Sequence, residues 1–145
     1  MKKFYGIYSA VVTPFKENLT VDYETWPMYI KFLAENGING LFLFGTNGEG
    51  PLLTLNEKKE LLKIAVDTIK GEIPIIVQVG GVVFEEVIEL AKFSVEVGAD
   101  AISAFAHSYF KLNDDALFEY FDTIAKAVYP FRFFISHLPH VPNQK

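Results

Sequence analysis

Apolar and polar residues fall in blocks along this chain, and the period changes from block to block. Continuous apolar runs at 6–14 (GIYSAVVTP), 38–44 (INGLFLF), 73–79 (IPIIVQV), 99–105 (ADAISAF) and 131–136 (FRFFIS) read as strands buried on both faces. The segments between them have helical period. Within 22–36, Trp26, Tyr29, Ile30 and Leu33 recur at spacings of three and four. Pro27 is expected in the first turn of that helix, where a missing N–H is tolerated, and Gly37 is expected as its left-handed stop. A second helix is expected over 56–70, with Asn56 as its N-cap and Gly71 beyond it. A third is expected over 85–97, ended by Gly98. A fourth is expected over 114–128, with Asp114 near its cap.

The order is therefore β-α-β-α-β-α-β-α-β, repeating every ~30 residues as βαβ crossovers do. Such alternation means a parallel α/β fold. Two architectures satisfy it. One is a five-stranded doubly wound sheet of the flavodoxin sort, complete in 145 residues. The other is the first half of an eight-stranded βα barrel, which normally takes ~250 residues.

Composition narrows the function classes. Half of the residues are hydrophobic and 15% are aromatic, enough for a packed core. The net charge is −5 with both signs interspersed, so no nucleic-acid partner is expected. Cysteine is absent, which removes disulfides and zinc–thiolate sites. No secretory leader and no membrane-spanning run are read, and a cytoplasmic location is expected.

In both architectures ligands gather at the loops after strand C-termini. Those loops hold Thr13-Pro14-Phe15, residues 45–51, Gly80-Gly81, residues 106–112 and the stretch from Ser136 onward. The glycine loop GTNGEGP (45–51) has the order G-x-x-G-x-G, not the dinucleotide fingerprint, and lacks the lysine of a phosphate-binding P-loop. What remains is a turn of backbone N–H groups beside the Thr46 hydroxyl and the Asn47 amide. It suits a carboxylate or phosphate oxygen, or else serves as a plain tight turn. Gly80-Gly81 permits close approach to a ligand or simply turns the chain. Tyr109 can donate a proton or pack. His107, His137 and His140 invite a metal reading. However, His137 and His140 follow a strand, where a spacing of three puts them on opposite faces, so no metal site is expected. Glu49 has no carboxylate partner near it in sequence.

The segments AVVTPF (10–15), GTNGEGPLLTLNEK (45–58), QVGG (78–81) and LAKFSVEVGADAI (90–102) resemble the dihydrodipicolinate synthase / N-acetylneuraminate lyase family of class I aldolases. The details GxGP and IIVQVGG look most like archaeal-type 2-keto-3-deoxygluconate aldolases. The resemblance implies a (β/α)8 TIM barrel. This chain, residues 1–145, would supply its N-terminal half as a single domain, about the first four and a half βα units, cut off after strand 5. It implies cleavage of a 2-keto-3-deoxy sugar acid to pyruvate and an aldehyde by Schiff-base chemistry, with no cofactor, in a homo-oligomer (dimer or tetramer). By position, Thr46 matches a proton-relaying threonine. Asn47 matches a second threonine that grips the substrate carboxylate. Gly45, Gly80 and Pro14 border the substrate, and Tyr109 matches a tyrosine that reaches a neighbouring subunit's site.

Two departures accompany the resemblance. The family carries Tyr-Asn-x-Pro after its fifth strand, whereas this chain reads Ser136-His137-Leu138-Pro139. Ser136 therefore stands at the tyrosine position with a shorter, less acidic hydroxyl. The family's Schiff-base lysine comes from a sixth strand, and no lysine here lies in a predicted strand; Lys111 is the nearest candidate. The chain alone is accordingly expected to be inactive. The rival expectations are a dihydrodipicolinate synthase-type condensation of pyruvate with an aldehyde, a non-catalytic half-barrel binding or assembly module, and a flavodoxin-like binding domain.

Overall fold

Each apolar run becomes a strand. In the computed structural model, which describes residues 3–105 and 112–136, the strands are β1 (Tyr8–Ala10), β2 (Gly40–Leu43), β3 (Ile75–Gln78), β4 (Ala101–Phe105) and β5 (Phe133–Ser136). The helices between them are α1 (Thr25–Glu35), α2 (Leu55–Ile69), α3 (Phe84–Val97) and α4 (Asp114–Val128). The strands pair in parallel in the order β1-β2-β3-β4-β5.

That order decides between the two architectures. A doubly wound sheet reverses its growth from an inner strand and carries helices on both faces. A sheet that adds each new strand beside the last keeps its right-handed crossovers on one face. Here α1 packs on α2, α2 on α3, and α3 on α4, in one layer. The chain thus forms five consecutive strands of a βα-barrel wall, and the flavodoxin-like order is excluded.

Register assigns the two faces of the sheet, because side chains alternate. Leu43, Val77 and Ile102 lie in one row across β2, β3 and β4 and are completely buried. They share a core with Leu61, Leu62, Leu90 and Ile124 from the helices. The other face carries Ala10, Phe42, Gln78, Ser103, Phe105 and Ser136. Burial on both faces holds for β3 and β4 but not for β5, where Phe134 and Ile135 are 40% and 60% exposed. Among the described residues β5 has one strand neighbour and no helix follows it.

Helix ends differ from the expected caps in ways that trace to short-range hydrogen bonds. The second helix is capped by Thr54, not Asn56. The Thr54 hydroxyl accepts from the Glu57 N–H, and the Glu57 carboxylate accepts from the Thr54 N–H, closing a capping box. The fourth is capped by Asn113, whose side-chain oxygen accepts from the Ala116 N–H at 2.8 Å, and Asp114 is already helical. Ahead of α1, the Asp22 carboxylate accepts from the backbone N–H groups of Glu24 and Thr25 and from the Thr25 hydroxyl. Those bonds, the hydroxyl's first, hold the Asp22 carboxyl below the usual range. Pro27 does lie in the first turn of α1, and Gly37 follows the helix at φ +86°.

Candidate active site

The glycine loop after β2 is held by a dense local network. Gly45 C=O accepts from both the Gly48 and Gly50 N–H groups, at 3.1 and 3.2 Å, and Thr46 C=O accepts from the Glu49 N–H at 3.1 Å. Two short 3-10 turns result, Thr46–Gly48 and Gly50–Leu52. The buried Thr13 hydroxyl, from the loop after β1, donates to Gly48 C=O at 2.7 Å and ties the two loops together. Phe44 and Glu49 adopt left-handed φ values of +64° and +55°. Such conformations cost side-chain-bearing residues about 1 kcal/mol or more each, and they concentrate at functional turns. The expected cradle of many free N–H groups is narrower than the sequence implied, because the amides at 48–50 are used internally. Thr46 and Asn47 open the first turn, so their amides have no carbonyl within it to donate to.

These groups meet the open face of the sheet. Gly45, Thr46 and Asn47 line a cavity of 280 Å³ with Ala10, Phe42, Gln78, Phe105 and Ser136. The hydroxyl of Ser136, which lines it, lies 2.7 Å from that of the buried Ser103, in hydrogen-bond contact. Gly45, Thr46, Asn47 and Ser136 are therefore brought together. Gly80 borders the cavity at one remove: its N–H donates to the Gln78 side-chain oxygen at 3.2 Å, while the residue itself faces a neighbouring cavity. Pro14 does not join the site. Its carbonyl accepts the Asp22 N–H at 2.9 Å, and the adjacent Thr13 is the residue that reaches the glycine loop. Tyr109, Lys111, His107, His137 and His140 lie outside the described residues. Sequence reasoning missed Ala10, Phe42, Gln78 and Phe105. Gln78 carried a signal, being the sole polar residue of IPIIVQV.

None of the five described strands carries a lysine. Lys58, on α2, lines a separate cavity of 230 Å³ with Gly80, Gly81, Val82 and Glu86. Burial lowers its pKa, and the nearby Glu86 carboxylate opposes that only in part. A lysine with a lowered native pKa costs stability while protonated, and that cost fades as pH rises through the native pKa towards the unfolded value. Lys58→Met is therefore expected to stabilise the chain at neutral pH, by less than ~1 kcal/mol given its partial exposure. The gain should vanish near pH ~10; urea midpoints at the two pH values measure it.

Sequential parallel strands, helices on one face, and a glycine turn over the strand C-termini define the class: part of a (β/α)8 barrel. The chain belongs to the dihydrodipicolinate synthetase family, whose model matches residues 3–134. Over 125 residues it is 38% identical to the 4-hydroxy-tetrahydrodipicolinate synthase of Kosmotoga olearia, covering 86% of this chain and 42% of that protein. The same enzyme from Methanocaldococcus jannaschii is 38% identical over 125 residues, covering 86% of this chain and 43% of that protein. The N-acetylneuraminate lyase of Mycoplasma synoviae superposes with a TM-score of 0.88 at 32% identity, covering 94% of this chain and 47% of that one. A prophage protein of the dihydrodipicolinic acid synthase family from E. coli K12, solved with pyruvate, gives 0.88 at 29% identity, covering 94% and 45%. The chain spans less than half the length of these relatives.

Proposed function

We propose that this chain forms the carboxylate-holding side of a pyruvate-handling class I aldolase centre. The observation that carries this is the pair of spare amides at Thr46 and Asn47, beside the Thr46 hydroxyl, at the rim of the Ala10–Phe42–Gln78–Ser136 cavity. Three donors on two adjacent residues that line one small cavity suit the two oxygens of a carboxylate. In this reading Asn47 grips the carboxylate through its amide. Thr46 relays a proton between the ligand and Ser136, which occupies the family's tyrosine position and is hydrogen-bonded to Ser103. Pyruvate or a longer 2-keto acid is the ligand, and an aldehyde is the second substrate. The imine-forming lysine is supplied from outside the five strands. Tyr109 completes a neighbouring subunit's site in a homo-oligomer.

The parent reaction is the reversible aldol cleavage of a 2-keto-3-deoxy sugar acid, of the 2-keto-3-deoxygluconate type, to pyruvate and an aldehyde. A second reading has its own support: the curated relatives at 38% identity are 4-hydroxy-tetrahydrodipicolinate synthases. It condenses pyruvate with a different aldehyde and uses the same carboxylate grip. Titrating pyruvate into the isotope-labelled chain tests what the two share. Backbone amide signals of Thr46 and Asn47 should move, and silence there would sink both. Addition of 2-keto-3-deoxygluconate then separates them: further shifts along the cavity favour the sugar acid, and shifts no larger than those of pyruvate favour the condensation. The chain alone is expected to turn over no 2-keto-3-deoxygluconate above a heat-killed control.

A further inference from the structure

We propose that Gln78 is a specificity-determining residue of this site, donating through Nε2 to the keto oxygen of the 2-keto acid whose carboxylate rests on Thr46 and Asn47. The assignment, which rests on the carboxylate reading above, names the group that distinguishes a keto acid from a plain carboxylic acid.

Gln78 is out of place by composition. It is 2% exposed, at the end of a strand whose other members are Ile75, Ile76 and Val77. A buried amide is tolerated where its hydrogen-bonding groups are met. Only half of this one is met. Its Oε1 accepts from the Gly80 N–H at 3.2 Å, and its buried Nε2 has no acceptor. The Gly80 bond also settles the orientation of the amide, since an N–H can donate only to the oxygen end. Nε2 is therefore the spare donor, and it belongs to a residue that lines the Thr46–Asn47 cavity. Of the other buried polar atoms without partners among the described residues, the Tyr8 and Tyr120 hydroxyls, neither belongs to a residue lining that cavity.

Three further details converge. First, a Cβ on residue 80 would lie 3.2 Å from Nε2 and 3.2 Å from the Phe105 N, so glycine there leaves the amide its room. Second, Ser103, opposite Gln78 in register, shares its hydroxyl hydrogen bond with Ser136, and neither satisfies Gln78 Nε2. Third, β3 is the immediate neighbour of β2, whose C-terminal loop holds the carboxylate. Adjacent strands stand about 4.8 Å apart. That span is comparable to the step from a carboxylate to the oxygen on the next carbon, followed by one hydrogen bond. A keto oxygen entering the cavity supplies the acceptor that the protein lacks.

The test compares pyruvate with propionate, which keeps the carboxylate and the three-carbon chain but has no keto oxygen. In the labelled wild-type chain, both are expected to shift the Thr46 and Asn47 amides, and pyruvate alone to shift the Gln78 side-chain NH2 signals. Gln78→Met should weaken pyruvate roughly three- to tenfold, the worth of one hydrogen bond, and leave propionate unchanged. Its melting temperature should change little, because removal of the unpaired buried Nε2 offsets loss of the Gly80 N–H acceptor. Equal weakening of both ligands, or pyruvate held by the variant at full strength, would overturn the assignment. So would a wild-type chain in which pyruvate moves Thr46 and Asn47 but not Gln78; this readout needs no variant to fold. If pyruvate moves none of the three, the carboxylate reading itself falls, and the role of Gln78 with it.

Discussion

Gly50→Ala is expected to abolish the pyruvate-dependent shifts at Thr46 and Asn47 and to lower the melting temperature by roughly 5 °C or more. The new Cβ would stand 1.9 Å from the Phe44 carbonyl oxygen and 2.5 Å from its carbon. Both are backbone atoms, so no side-chain rotation relieves the overlap. Phe44 is already at a left-handed φ of +64° and has little room to yield. The turn must open instead, and the first bond at risk is Gly50 N–H to Gly45 C=O. Overpacking of this kind costs about 2–3 kcal/mol, and each kcal/mol moves the midpoint by roughly 2–4 °C at this size. Gly81→Ala is the control. Its Cβ would meet nothing closer than 3.6 Å, from the Val87 side chain, and the change should lie within ~0.5 kcal/mol. Equal behaviour of the two variants would show that the turn is not held by backbone proximity.

Trp26→Ala should be the most damaging single change in the helical layer, costing about 3–5 kcal/mol. Trp26 is 1% exposed, and its indole N–H donates to Leu61 C=O at 2.9 Å. It is thus both filler and fastener between α1 and α2. On the same helix, Met28 is 66% exposed, and Met28→Ala should change stability by no more than ~0.5 kcal/mol. Urea midpoints followed by far-ultraviolet circular dichroism compare them, since Trp26 is the chain's one tryptophan and its fluorescence disappears with it. A loss below ~1 kcal/mol would mean that neighbouring side chains collapse into the vacated space.

Elements announced by long apolar periodicity were legible. The five strands and four helices stand where the runs and the three-four spacings put them, to within a few residues. Strand order was not legible from pattern alone, because alternation describes every parallel α/β sheet. The order is set by which face each crossover covers, a property of packed helices and not of any one segment. The caps were misplaced where the wrong member of a motif was chosen. Thr54 with Glu57 is a readable capping box, and it outcompetes Asn56, which lies inside the first turn. The site was half legible. Glycines and small polar residues marked the Thr46–Asn47 loop, but the internal bonding of 48–50 depends on the turn's own geometry. Phe42, Phe105 and Ala10 reach the cavity only because register aligns strands far apart in sequence, and that alignment leaves no local mark. Gln78 is the instructive case. A polar residue in an apolar strand was visible from the start, but its meaning rests on an acceptor that is missing, and only the folded neighbourhood reveals that.

The consecutive strand order also bears on how this chain acquires its structure. Every strand pairs with the one made just before it, ~30 residues earlier. Among the described strands no pairing waits for a distant partner, so the loop-closure entropy of each of these steps is small and nearly constant. Folding can then advance from the N-terminus during synthesis, each βα unit docking on a wall already standing. The glycine loop at 45–51 lies in the second of these units, and its tie to Thr13 reaches back to the first. The Thr46–Asn47 turn is thus among the earliest parts of the molecule to become native.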